Sequence, residues 1–339
     1  IPLDDKKVYG LFNSPKSINL TEQQLETSVP SYGLPEFGTP FVRGMLEQTK
    51  PNTFAGLVKI SGLSHGTDVW LSNARDLIAG DTEFPKVSFE EIIGCRDDIM
   101  VDLMTFGMSA AKAFEIMEFV RRGSPSKNKT RWEEYQAEMR RNNVPEWYIW
   151  SCGQIKYMFP KAHAAAYVLM AVRIAWFKVH KPIIFYSSFF SIRATQFEHD
   201  TMVSGINGIR NRIKEIEKKT PNQQTEKEAN LLITLQVAYE MHLRGFKFLP
   251  VDIHKSSATR FEIENGNALR MPFASMDGLG VQVATDIVES RNEKPFKTVK
   301  DVNERTKINK TVFENMSKCG AFDDLIEEED ILEQGLFAL

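Results

Sequence analysis

Residues 157–173, running on through Lys178 to Pro182, constrain this chain more than any other stretch. Pro160 suits a first helical turn, where a missing N–H costs nothing. Ala164, Ala165 and Ala166 then add strong helix propensity and let a flat ligand or another backbone come close. His163 and Tyr167, spaced i, i+4, fall on one helix face. Lys161, free N–H groups and a helix dipole at the same end would make a good phosphate site. A buried core helix with a satisfied His–Tyr pair fits the same pattern, and the local physics leaves both readings open.

With 339 residues the chain has room for two or three domains and a large core. It opens on Ile1 and shows no secretory or lipidation signal, which suggests a portion of something longer. The longest apolar run, around 167–177, contains Arg173 and is closed by Pro182, so no membrane span is expected. Cys95, Cys152 and Cys319 are far apart and lack metal-ligand spacing, which speaks against zinc or a disulfide framework and for a reducing, cytoplasmic setting. The formal charge is −3, but seven acids and no base lie beyond residue 322; without those seven the charge becomes +4. A mildly basic body with an acidic tail is a charge asymmetry that needs a reason.

Periodicity gives helices around 41–50, 54–63, 68–79, 88–93, 97–106 and 110–122, a polar loop at 123–129 and an amphipathic helix at 131–141. Residues 204–219 and 224–244 read as a helical hairpin turned at Thr220-Pro221-Asn222. The pattern then changes. Phe246 to Ile253 alternates in places, and Asn265-Gly266 between Phe261-Glu262-Ile263 and Leu269-Arg270-Met271 is a strong hairpin signal. The expected fold class is mainly α and multi-domain: a helical domain over 1–245, a small β element over 246–273, paired helix–hairpin–helix units over 274–322 and an acidic tail over 323–339.

Gly278-Leu279-Gly280 opens the first of those units. Two glycines permit a tight turn, so backbone N–H groups at the next helix start can face a DNA phosphate with no side chain between. Ordinary packing of a helical hairpin uses the same turn. Lys297, then Lys310 and Thr311, lie in what reads as the second hairpin. In the first half, the turn Ser64-His65-Gly66-Thr67 offers N–H and hydroxyl donors to a triphosphate, or simply caps the helix that follows. Arg96 has a phosphate reading and a local one, pairing with Asp97 or Asp98. No carboxylate pair sits in a context for two-metal chemistry, and no catalytic residue is assigned to this chain.

Phe159-Pro160-Lys161-Ala162-His163-Ala164-Ala165-Ala166-Tyr167, with the following 173–178 and His180-Lys181-Pro182, resembles the fingers helix of bacterial C-family replicative DNA polymerases. Residues 32–41, 60–70 and 93–100 resemble the PolC branch specifically, and the likeness runs in order from Ile1 to Phe322. The resemblance implies templated addition of deoxynucleotides to a primer 3′ end, with three catalytic aspartates and two Mg2+ ions in a palm N-terminal to this chain. It implies that Lys161, His163 and Tyr167 lie by the incoming dNTP, with Ser64, His65, Gly66, Arg96 and Arg173 as further neighbours. Gly278, Leu279, Gly280, Lys297, Lys310 and Thr311 would hold primer–template DNA, and relatives carry an exonuclease in the same polypeptide. Family members often end in a clamp-binding peptide. Here Gln334, Leu336 and Phe337 approximate it, with Glu333 where glutamine is usual, so the sliding clamp and other replisome subunits are the expected partners. The rival reading is a non-catalytic duplex-binding scaffold.

Overall fold

The computed structural model describes residues 1–326. Eighteen α-helices and a three-stranded sheet among them group into two compact units. The first holds Ile1–Ser17 and Thr27–Trp176; the second holds Ile18–Glu26 and the residues from Phe177 onward. The mainly helical expectation with a small β element is met.

In the first unit, helices Pro40–Thr49, Phe54–His65, Ala110–Arg121 and Lys129–Arg141 each begin at a side chain that takes a free backbone N–H: Thr39, Thr53, Ser109 and Asn128. With helix Arg96–Thr105 they contribute core residues that include Leu57, Ile60, Ile99, Leu103, Ile116 and Val120, all essentially inaccessible. Two expected helices come out differently. The 68–79 segment breaks at Leu71 and Ser72, where the Asn73 amide bonds the carbonyls of Asp68 and Ser151, and only Arg75–Ala79 is regular. Residues 88–93 are irregular, and the Lys59 ammonium donates to the Glu90 and Ile92 carbonyls, 2.5 and 3.0 Å away.

In the second unit, Ile206–Glu217 and Glu226–Leu243 form the expected helical hairpin. The sheet order is Lys247–Leu249, Ala268–Arg270, Glu262–Glu264, with the first pair parallel and the second antiparallel. Asn265 and Gly266 sit at φ 53° and 72°, left-handed backbone in the three-residue connection that joins Glu264 to its partner Ala268. Phe190 packs on Phe248 and Phe261 at centroid distances of 5.0 and 5.5 Å. Residues after 177 thus share a core with the sheet. The two units part inside the helix Lys161–His180.

The C-terminal helices Val281–Glu293, Val299–Arg305 and Lys310–Lys318 enclose Ala284, Ile287, Val302, Val312, Met316 and Phe322. Tail residues Gln334, Leu336 and Phe337 lie outside the described residues, as does most of the acidic run.

Candidate nucleotide face and nucleic-acid interface

Helix Lys161–His180 has two faces. Ala164, Val168, Ala171, Val172 and Ala175 are buried, while Lys161, Ala162, His163, Ala166, Tyr167, Met170 and Arg173 are exposed. By length and composition alone it is apolar enough to cross a bilayer, as core helices of soluble proteins also can be. Pro160 is not part of the helix. It stands one residue before, its carbonyl accepting the Ala164 N–H at 3.2 Å.

An aromatic ladder runs along the exposed side. His65 stacks on Phe159 with centroids 5.0 Å apart, Phe159 meets His163 edge-on at 4.5 Å, and His163 lies 4.5 Å from Tyr167. The chain is pinned there by the Thr67–Tyr157 bridge, in which the Thr67 N–H donates to the Tyr157 carbonyl at 2.9 Å. Gly66 caps the Phe54–His65 helix where a Cβ would run into Val69 and come within 3.0 Å of the Tyr157 carbonyl. The glycine is there for that close pass. Ser64 bonds the Ser61 carbonyl and the His65 ring, so its hydroxyl serves the helix end. The two nitrogens of His65 face the Ser61 carbonyl at 2.7 Å and Glu36 at 2.9 Å.

The helix start is not the open amide site that the sequence suggests. The Lys161 N–H donates to Asp97 Oδ2 at 2.7 Å, and the Lys161 ammonium bonds Asp98 Oδ1 at 2.9 Å. Asp98 Oδ2 in turn accepts the N–H groups of Gly94 and Cys95 at 3.0 and 2.9 Å. The hydrogen bond from Lys161 to Asp98 raises the pKa of that ammonium above its ordinary value. Arg96 Nε is buried without a hydrogen bond, 3.9 Å from Asp97, and the Arg96 N–H donates to the Phe159 carbonyl at 3.2 Å. A cavity of about 630 Å³ opens beneath, lined among others by Lys59, Cys95, Asp98, Asp102, Tyr148 and Lys161. Burial pushes the Lys59 ammonium down, the Asp102 carboxyl up and the Cys95 thiol up to about 12.

Lys161, His163, Tyr167, His65 and Arg96 are therefore gathered around Phe159 and the helix start, and Arg173 lies farther along the same exposed side. Phe159, Glu36, Asp97 and Asp98 escaped the sequence reading as site components. Phe159 sat inside the quoted motif, and the two aspartates read as cap or surface residues.

The second surface is backbone. Gly278 has φ +83°, Leu279 is buried, and Gly280 caps Val281–Glu293 with open space where a Cβ would stand. The first N–H groups of that helix have no partner within the helix itself. In the following hairpin Asn309 caps Lys310–Lys318, and Lys297, Lys310 and Thr311 are exposed. Among the described residues no group of three or more His, Cys, Asp or Glu side chains could hold a metal ion.

Residues 1–143 match the family described as the bacterial DNA polymerase III alpha subunit finger domain, and residues 245–331 match the helix–hairpin–helix motif. The chain is 51% identical over 332 residues to a protein of Oceanobacillus iheyensis named DNA polymerase III PolC-type, covering 98% of this chain and 22% of that protein. A Thermotoga maritima protein of the same name is 51% identical over 329 residues, 97% of this chain and 23% of its own length. One from Bacillus subtilis is 48% identical over 331 residues, 98% of this chain and 22% of its own. The chain thus spans about a fifth of the length of the curated relatives it matches.

Proposed function

Because the chain belongs to the PolC-type family of bacterial DNA polymerase III alpha subunits, we propose that it supplies the nucleotide-facing and duplex-holding parts of a DNA-directed DNA polymerase. The observation that carries this reading is the one-sided burial of helix Lys161–His180, whose exposed side joins a cation to an aromatic ladder. Lys161, with Arg96 and Arg173 behind it, neutralises charge developing on the phosphates of an incoming dNTP. That is an electrostatic and positioning role with no covalent step in this chain. Tyr167, 38% exposed, offers a ring face for the nascent base pair. His163, held between Phe159 and Tyr167, fixes where that ring stands.

The bare turn at Gly278–Gly280 and the Lys310–Lys318 helix start hold the product duplex by its phosphates, which suits any sequence. On this reading the divalent ions belong to a palm N-terminal to these residues, as the family resemblance implies. Gln334, Leu336 and Phe337 reach the sliding clamp within the replisome.

The isolated chain is expected to bind primed duplex with an affinity that falls steeply as salt rises, and to incorporate no nucleotide. Robust synthesis by the isolated chain, or duplex affinity indifferent to salt, overturns the reading. A non-catalytic scaffold instead predicts that nucleotide leaves the complex of the full-length polypeptide with primed duplex unchanged.

A further inference from the structure

We infer that Asp98 is a positioning residue for the nucleotide: it holds the Lys161 ammonium in place and leaves its remaining donors for the phosphates. This rests on the nucleotide reading of the Lys161 face. Asp98 is fixed before Lys161 is considered. Its Oδ2 takes the N–H groups of Gly94 and Cys95, and its side chain is only 13% exposed. Lys161, by contrast, is 55% exposed and reaches Asp98 Oδ1 at 2.9 Å. The buried partner is rigid and the exposed one is flexible, so the carboxylate sets where the ammonium stands.

The backbone adds a second fixed point. Asp97 Oδ2 takes the Lys161 N–H at 2.7 Å, so adjacent carboxylates of one helix grip the same residue at both ends. An ammonium has three donors, and Asp98 uses one. The neighbouring cation Lys59 has its donors directed at the Glu90 and Ile92 carbonyls and lines the same cavity as Asp98 and Lys161. With Asp98 neutral, Lys161 would lose this partner and face Lys59 across a cavity whose remaining acids include Asp102.

The test is a double-mutant cycle in the full-length polymerase, reading dNTP KM, kcat, primer–template Kd and Tm. Asp98→Asn keeps an oxygen for the Gly94 and Cys95 N–H groups and turns the Lys161-facing oxygen into an N–H donor, so the charge and the hydrogen bond to the ammonium are lost together. It is expected to raise the dNTP KM by about threefold to fivefold, the scale of one part-exposed ion pair, with primer–template Kd unchanged. Lys161→Gln is expected to raise it more, and Asp98→Asn in that background to add nothing. Asp98→Glu keeps the charge and recovers most of the KM, and carries the test if Asp98→Asn melts early. An equal KM increase in both backgrounds, a fall in KM, or a lower Tm with KM unchanged each overturn the positioning role. If Lys161→Gln itself leaves KM unchanged, the nucleotide reading fails first, and this inference with it.

Discussion

Lys161 and Lys178 stand on one helix, and each meets a carboxylate at 2.9 Å, yet their settings are opposite. Lys161 is 55% exposed over a part-buried aspartate, whereas Lys178 and Glu240 are both at 0%. Around Glu240 the Tyr186 hydroxyl donates at 2.7 Å, and Arg244 bonds the Lys178 carbonyl and Tyr186. A buried pair cannot trade its partner for water or ligand, so it acts as a structural fastening. An exposed pair over a fixed carboxylate keeps donors to spare and is available to a ligand. Equal separations thus do different work, and burial decides which.

The largest expected effect lies at the buried pair. Lys178→Met strands the Glu240 carboxylate and should cost about 3–5 kcal/mol of stability, seen as a large drop in denaturant midpoint. Lys161→Gln should cost no more than about 1 kcal/mol. Comparable losses at both positions would break the comparison.

The same contrast recurs between two glycines of one turn. Gly278→Ala must hold φ near +83°, a strain of about 1–2 kcal/mol, so thermal melting should fall. Gly280→Ala meets open space at φ −72°, and its small capping penalty is opposed by a stiffer unfolded chain. Its expected loss is in duplex affinity, about threefold to tenfold, the worth of one hydrogen bond, measured by anisotropy titration. A duplex affinity unchanged by Gly280→Ala would remove the backbone-contact reading of this turn.

The smallest effect sharpens the exposed side of the comparison. Hydrogen bonds from Lys112, Tyr135 and Arg131 hold the Glu115 carboxyl at about 2, against an ordinary value of 4.5. A depressed folded value stabilises the native state fully above 4.5 and is lost as pH falls toward 2. Glu115→Gln should therefore flatten the fall in Tm across that window. An unaltered profile would show that the exposed cluster contributes nothing.

Local signals carried much of the architecture. Alanines 164–166 and the i, i+4 pair placed the central helix, and Asn265-Gly266 placed the strand turn, because both patterns act within a few residues. What escaped depends on partners far along the chain. Asp97 and Asp98 looked like local caps, and Asp98 is one, but both also grip Lys161, more than sixty residues away. Residues 88–93 had a helical pattern and are irregular, with the Glu90 and Ile92 carbonyls held by Lys59, some thirty residues earlier. The cluster of Phe190, Phe248 and Phe261 joins residues up to seventy-one apart, which no window of periodicity contains.

On the proposed reading, the exposed side of helix Lys161–His180 faces the incoming nucleotide. Tyr167→Ala alters an exposed ring and leaves the buried face intact, so it tests the claim with little cost to folding. In the full-length polymerase, steady-state kinetics on a primed template should show nucleotide use impaired while the primer–template Kd stays near wild type. Normal nucleotide kinetics with weakened duplex binding would contradict the account and move this helix out of the nucleotide site.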